Sequence, residues 1–296
     1  WSKDLIKSID HTQASLLANV PLKDGGLFYP QSGWIAPQEL VEQLFSAVKT
    51  TKLLQIETST SVSSISQNDD STWTLQTNKG EVNTPVVVFC GGAEGIKLPL
   101  IEQLPLTSVR GQITSMKTNT KINKLNTVIC HKGYLTPAHN NIHCIGATFD
   151  KNTFDTSPKE EDDQYNLNML LQCLPDLAEK ISSWDSSDIS TQKARLRCMT
   201  PDHLPMVGAM PNIDAHKASF AHLAKDKNWR FYEAAPSVKN LYILTGLGAR
   251  GLCTAPLLAQ ILTADLCGTP YPIDSDMLFN LSPNRFIIRD LIKRKF

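Results

Sequence analysis

Residues 240–267, NLYILTGLGARGLCTAPLLAQILTADLC, decide how the rest of the chain is read. Residues 241–244 are a short apolar run of strand character. Residues 245–251 form a turn with three glycines, and an apolar helical pattern follows, with Leu257, Leu258, Ile261, Leu262 and Leu266 at helix spacing. Pro256 suits only a first turn, and Gly268 with Pro270 stops the helix. A strand, a glycine turn and a helix N-terminus bring bare backbone N–H groups against an anionic or electron-rich ligand. The glycines permit close approach, and the helix end is partly positive. The competing reading is a tight connection that binds nothing, because one glycine-rich turn is a weak signal.

Outward from this stretch, 296 residues suffice for a large core and exceed the usual size of one domain. A formal net charge of zero gives no global electrostatic case for nucleic acid or membrane, so a charged partner needs a local patch. No apolar run approaches the ~20 residues of a membrane helix, and no signal-peptide pattern is present. The seven cysteines are odd in number, sit in apolar segments and form no C-x-x-C pair. They are expected to be reduced cytoplasmic thiols, with no metal site. The first residue is Trp1, which suggests a piece of a longer protein.

Before the opening stretch, residues 1–24 carry weak helical patterning. Residues 25–34 read as a short strand between turns. Pro37 opens a helix with Leu40, Val41, Leu44, Phe45 and Val48 on its apolar face. Strands are expected at 53–56, at 62–65, around Trp73 and Leu75 with a hairpin at 78–80, and at 86–90 as a fully buried strand ending in Gly91 and Gly92. After Pro105, the runs 107–116, 127–130, 133–136 and 142–148 suggest a mostly antiparallel sheet. Ser157-Pro-Lys-Glu160 reads as a capping box opening a helix that ends before Pro175. Residues 193–198 form another strand, and 211–240, with little periodicity, read as a surface insertion.

Several motifs then stand in one order: Pro30-x-x-Gly33-x-x-x-Pro37, Val88-Phe-Cys-Gly91-Gly92, Ser108-Val-Arg-Gly-Gln112, Gly133-Tyr-Leu-Thr-Pro137, Ile145-Gly-Ala-Thr148, Leu196-Arg-Cys-Met-Thr-Pro-Asp202-His-Leu-Pro-Met-Val-Gly208, and the glycine turn. Together they resemble the D-amino-acid-oxidase/glycine-oxidase type of FAD-dependent amine oxidoreductase. The run 197–208, the run 248–256 and the ending Ser282-Pro-Asn-Arg285 resemble the oxidoreductase halves of bifunctional tRNA wobble-uridine modification enzymes. The resemblance implies an α/β, two-domain fold: a glutathione-reductase-type FAD-binding domain (37–96 and 198–296), a mostly antiparallel substrate domain with helices (25–36 and 97–197), and a helical connection (1–24). The family's opening strand and its Gly-x-Gly-x-x-Gly turn for the FAD pyrophosphate are absent, so the first βαβ unit is missing. Residues 1–296 alone are therefore expected to bind FAD weakly, to aggregate and to be inactive.

The implied reaction is oxidative removal of the carboxymethyl group from 5-carboxymethylaminomethyl(-2-thio)uridine in tRNA, giving aminomethyluridine and glyoxylate. FAD does the redox work, and an upstream methyltransferase domain shares the full polypeptide. Orientation supplies much of the barrier reduction, so no side chain is assigned as acid or base. A guanidinium fork and a phenol suit the carboxylate, and the resemblance places Arg197 and Tyr134 there. The bland alternatives are an exposed strand arginine and a core tyrosine. Arg250 is a candidate for substrate or flavin. Gly91, Gly92, Arg110, Gln112, Gly246, Gly248, Gly251 and Leu252 are candidates for the cofactor, with a strand-holding salt bridge as the competing role of Arg110. Asp202 and His203 read as turn residues. Arg285, Arg289 and Lys293 recur every four residues and are either a tRNA phosphate stripe or a solvated helix face. A small-molecule glycine or sarcosine oxidase and a non-catalytic interaction remnant are the alternative functions.

Overall fold

The computed structural model describes residues 2–51, 53–151, 153–177, 181, 184 and 186–295. In chain order the first elements are β1 (Lys7–Ile9), α1 (His11–Ala18), β2 (Gly26–Phe28), α2 (Pro37–Lys49), β3 (Val62–Gln67), β4 (Trp73–Thr77), β5 (Gly80–Thr84) and β6 (Val87–Phe89). Next come β7 (Thr107–Lys117), β8 (Ile129–Cys130), β9 (Tyr134–Leu135), β10 (Ile142–Gly146), β11 (Asp150–Lys151), α3 (Glu160–Cys173) and β12 (Ile189–Met199). The chain finishes with β13 (Met206–Pro211), α4 (Ile213–Ser219), β14 (Ser237–Thr245), α5 (Gly251–Cys267), α6 (Ser275–Leu281) and α7 (Asn284–Ile292). Two compact units result, one of residues 1–54 and 110–195 and the other of 55–109 and 196–296.

The first unit holds the expected antiparallel sheet, in the order β11-β7-β10-β9-β8 with β12 also paired to β7. Its inward side chains, among them Met116, Leu135 and Ile145, meet Leu170 of α3 and Leu177. Helix α3 starts later than the capping-box reading expects. Lys159 is its N-cap residue, and no side chain caps it. The backbone of 157–159 is engaged elsewhere: Arg110 Nη2 donates to Ser157 O, and the Lys159 N–H and C=O both meet the Gln112 amide.

Arg110 and Gln112 are thereby accounted for. Both are fully buried. Arg110 Nη1 pairs with Asp162 at 2.6 Å and Asp150 at 3.1 Å, and Nη2 donates to Gln112 Oε1 at 3.0 Å. Burial alone would lower the guanidinium pKa, but the hydrogen bond and charge of Asp162, then of Asp150, raise it. Gln112 also bonds Asp163, which Thr114 and Gln192 bond in turn. These two residues hold strand β7 to α3, so the strand-holding role replaces the cofactor role expected for them.

Helix α2 forms as its pattern predicts, with Pro37 in its first turn, yet none of its residues is buried. Glu39 bonds His139 at 2.8 Å, and Trp34 lies 5.3 Å from the same imidazole. Residues 1–54, α2 among them, fall in the first unit. The strand expected at 53–56 is not formed, and Leu53 is 90% exposed. A parallel strand is stable only with neighbours on its edges and cover on its faces, and this segment has neither.

The second unit is built on the sheet β13-β14-β6, with β14 antiparallel to β13 and parallel to β6. Val87 and Phe89 enter the core with Leu241, Ile243, Met206 and Phe286. Val86 and Val88 are partly exposed, so β6 is covered on one face only, contrary to the fully buried strand expected. Strands β3, β4 and β5 form the expected meander, with Trp73 buried and its indole N–H donating to Lys239 O. Residues 211–240 are more ordered than an insertion: α4 follows an Asn212 cap, and Phe220 and Leu223 pack on Ile287 and Leu291 of α7.

Replacing Arg110 by Ala leaves Asp162 mostly buried and without its cation. The cost is about 3–5 kcal/mol, expected as a lowered urea midpoint for the first unit followed by tryptophan fluorescence.

Candidate functional site

The second unit brings one end of β12 directly against the glycine turn. The Gly248 N–H donates to Cys198 O at 2.8 Å, and the Cys198 thiol lies 3.5 Å from Thr245 Oγ1. Burial pushes the Cys198 thiol pKa up. Gly246 and Gly248 have φ of 71° and 57°. A Cβ on Gly246 would lie 2.6 Å from Thr200 Cγ2, and one on Gly248 would lie 2.9 Å from Met199 Sδ. Conformation and close packing therefore require both glycines without reference to any ligand. Arg197 is the residue before this contact, half-buried on β12, and Arg250 is the exposed N-cap residue of α5.

Gly251 is different. Its φ is not in the left-handed region, and an added Cβ would meet only Leu247 carbons at an ordinary 3.7 Å. Among the described residues, nothing requires a glycine there. Yet Gly251 is the first residue of a helix whose N-terminus has no side-chain cap, with Leu252 exposed beside it. Bare N–H groups next to a position free of Cβ suit close approach by an electron-rich ligand. Gly92, with φ 57° and open space around it, is a second such position, whereas Gly91 is fixed by Phe89 Cε2, 2.7 Å from its would-be Cβ.

Residues 246–251 also spell Gly-x-Gly-x-x-Gly between a strand and a helix, a signal the sequence reading left unused. The described structure explains why it is no dinucleotide βαβ unit. Helices α6 and α7 follow α5, and no parallel strand comes after it. Pro256 lies beyond the first turn of α5, later than the sequence reading allows.

Next to the turn, residues 200–204 are clamped from α7. Arg285 forks Asp202, with Nε–Oδ2 at 2.8 Å and Nη2–Oδ1 at 3.0 Å, and also donates to Ser282 O and Leu204 O. Asp202 Oδ1 accepts from the Leu204 N–H and the Thr200 hydroxyl. Burial would raise the Asp202 pKa, but these donors, Arg285 first, hold it below the usual carboxylate range. The turn reading of Asp202 is thus met by the expected bond to backbone, and His203 takes a φ of 62°. The tRNA stripe is not realised: Arg285 is buried in this clamp and Arg289 sits 4.8 Å over the Phe286 ring, leaving Lys293 exposed.

In the first unit, Tyr134 lies half-buried on β9. Its hydroxyl would lie 3.3 Å from a Cβ on Gly146, and it interacts with the Cys144 thiol, whose pKa burial raises. His131 beside it accepts the Gly133 N–H on Nδ1, its buried Nε2 has no hydrogen-bond partner among the described residues, and burial lowers its pKa. A separate cleft of about 290 Å³, lined by α1, β2, β8 and residues 173–177, does not include Tyr134.

The profile of the FAD dependent oxidoreductase family (DAO) matches residues 6–265. The chain belongs to that family. It is 34% identical over 315 residues to the tRNA 5-methylaminomethyl-2-thiouridine biosynthesis bifunctional protein MnmC of Pseudoalteromonas atlantica, covering 100% of this chain and 44% of that protein. Identity to the MnmC of Shewanella halifaxensis is 36% over 304 residues, covering 100% and 46%. The chain thus spans less than half the length of the curated relatives it matches. Glycine oxidase from Geobacillus kaustophilus shares the fold at TM-score 0.72 and 19% identity, over 92% of this chain and 66% of that one. L-proline dehydrogenase from P. horikoshii does so at 0.71 and 18%, over 95% and 68%. FAD is the cofactor of the family, and Gly92, Gly251, Leu252 and the N-terminus of α5 fit it.

Two outcomes follow. Gly251→Val should leave the unfolding midpoint unchanged while weakening FAD retention at least tenfold, measured by flavin absorbance after dialysis of the full-length protein. Asp202→Asn should cost roughly 1–2 kcal/mol at neutral pH. Because the folded pKa is depressed, the difference from wild type persists above about pH 4 and shrinks as pH falls through the folded value. Paired denaturation curves between pH 3 and 7 check this.

Proposed function

We propose that this chain is the oxidoreductase part of an enzyme that removes the carboxymethyl group from 5-carboxymethylaminomethyl(-2-thio)uridine at the tRNA wobble position. The observation that carries the reading is the glycine turn braced on the strand end bearing Arg197. It is supported by family membership and by 34% identity, along the whole of this chain, to a protein named for 5-methylaminomethyl-2-thiouridine biosynthesis. When bound, FAD supplies a two-electron acceptor. The CH–NH bond of the substrate becomes C=N, with hydride leaving carbon and a proton leaving nitrogen. Water then adds to the imine carbon, releasing glyoxylate and the aminomethyl nucleoside.

In this scheme Arg197 forks the substrate carboxylate and fixes which C–H bond is presented. Tyr134, half-buried on β9 of the first unit, is retained as a candidate substrate-facing phenol. Arg250, exposed at the head of α5, adds positive charge beside the helix end. The remaining polypeptide of the relatives is the place for an upstream methyltransferase domain. The full-length protein works in the cytoplasm, where its tRNA is found.

Arg197→Lys keeps the charge and loses the fork. Activity of the full-length enzyme on hypomodified tRNA, read by nucleoside mass spectrometry, should fall well beyond tenfold, or ~1.4 kcal/mol of transition-state stabilisation. Unchanged kinetics would take Arg197 out of the site. Conversion of free glycine but not tRNA would replace the tRNA reading with a small-molecule oxidase.

A further inference from the structure

The cations expected to meet RNA on α7 are largely committed elsewhere, but a different surface has the required chemistry. Residues 221–232, AHLAKDKNWRFY, link α4 to β14. Phe231 stacks on Phe220 with ring centroids 4.1 Å apart and so belongs to the small core formed with Ile287 and Leu291. That contact fixes the segment while its neighbours stay outside: Tyr232 is 104% exposed and Trp229 is 49% exposed. The indole has the His222 ring against it at 4.2 Å, which orders it without covering it.

Lys225, Lys227 and Arg230 are exposed in the same segment, against one carboxylate, Asp226, in a chain of zero formal charge. None of the three cations pairs with a described carboxylate. Arg294, just past α7, donates to Ala224 O at 2.8 Å and adds a further cation, with Lys293 and Lys295 beside it.

We propose that the segment 221–232 and the end of α7 form a surface for single-stranded RNA. Trp229 and Tyr232 stack on unpaired bases, and Lys225, Lys227 and Arg230 meet the phosphates. Exposed aromatic faces interleaved with unpaired cations are what a splayed RNA loop requires, since any base can stack and every nucleotide carries a charge. A protein partner would favour apolar cover without the surplus of cations. This inference rests on the tRNA reading above and names the part of the chain that would hold the loop.

The test uses full-length, FAD-loaded protein and an unmodified anticodon stem-loop RNA, with affinity measured across a salt series. Trp229→Ala with Tyr232→Ala should weaken binding at least tenfold and leave the salt slope unchanged. Trp229→Phe with Tyr232→Phe should keep affinity within about threefold. Neutralising Lys225, Lys227 and Arg230 to Gln should flatten the slope of log K against log salt by about 2. Wild-type binding with affinities and slopes unaltered in all variants overturns this surface and leaves the tRNA reading standing. A change of oligomeric state without a change in RNA affinity makes it a protein contact and also overturns it. Absence of RNA binding by the unsubstituted protein overturns both.

Discussion

The candidate site depends on a hydrogen bond between two stretches of backbone, from the Gly248 N–H to the Cys198 carbonyl. It can form only because residues 246 and 248 take left-handed conformations and carry no Cβ to meet Thr200 and Met199. With the bond made, the head of α5 and the β12 strand end bearing Arg197 are tied together within the second unit. Behind it, Arg285 fixes residues 200–204 through two contacts to Asp202 and one to Leu204 O. A turn held by its own side chains would fray. One held by a buried guanidinium can keep neighbouring groups in a fixed geometry, as orientation-based catalysis needs.

The first unit uses the same device for a different purpose. Arg110 and Gln112 gather Asp150, Asp162, Asp163 and the backbone of 157–159 around one buried point. Buried ion pairs contribute little net stability compared with apolar packing, while a broken one is costly. Such a network therefore acts mainly by penalising alternatives. A one-residue slip of β7 would turn Arg110 and Gln112 out of the network and leave the aspartates unpaired.

This is also where sequence reading reached its limit. The strand, glycine turn and helix at 240–267, the 73–84 hairpin and the antiparallel strands after 105 were legible, because local periodicity and turn chemistry both favour them. The capping box at Ser157 failed because two buried side chains, each 47 residues from the backbone group it bonds, take over the backbone it would have organised. The strand at 53–56 failed because a parallel strand is a property of its neighbours. Gly246, Gly248 and Gly251 look alike as letters. Only the space around each separates glycines required by packing from one that packing does not need, and the Gly-x-Gly-x-x-Gly spacing itself is silent on which kind each is.

The arginines make the same point about charge. A four-residue repeat on α7 suggests a basic face, but a helix of that length must also bury one. Phe286, Ile287 and Leu291 are spent on two cores, Arg285 on Asp202, and Arg289 lies over an aromatic ring. Little of the helix remains to meet a polyanion. The segment 221–232 carries less of that obligation: Leu223 and Phe231 anchor it to the core, while Lys225, Lys227, Trp229, Arg230 and Tyr232 stay exposed. Periodicity therefore locates the residues that build the molecule, and the surface free to recognise another molecule is found where periodicity lapses but an anchor persists.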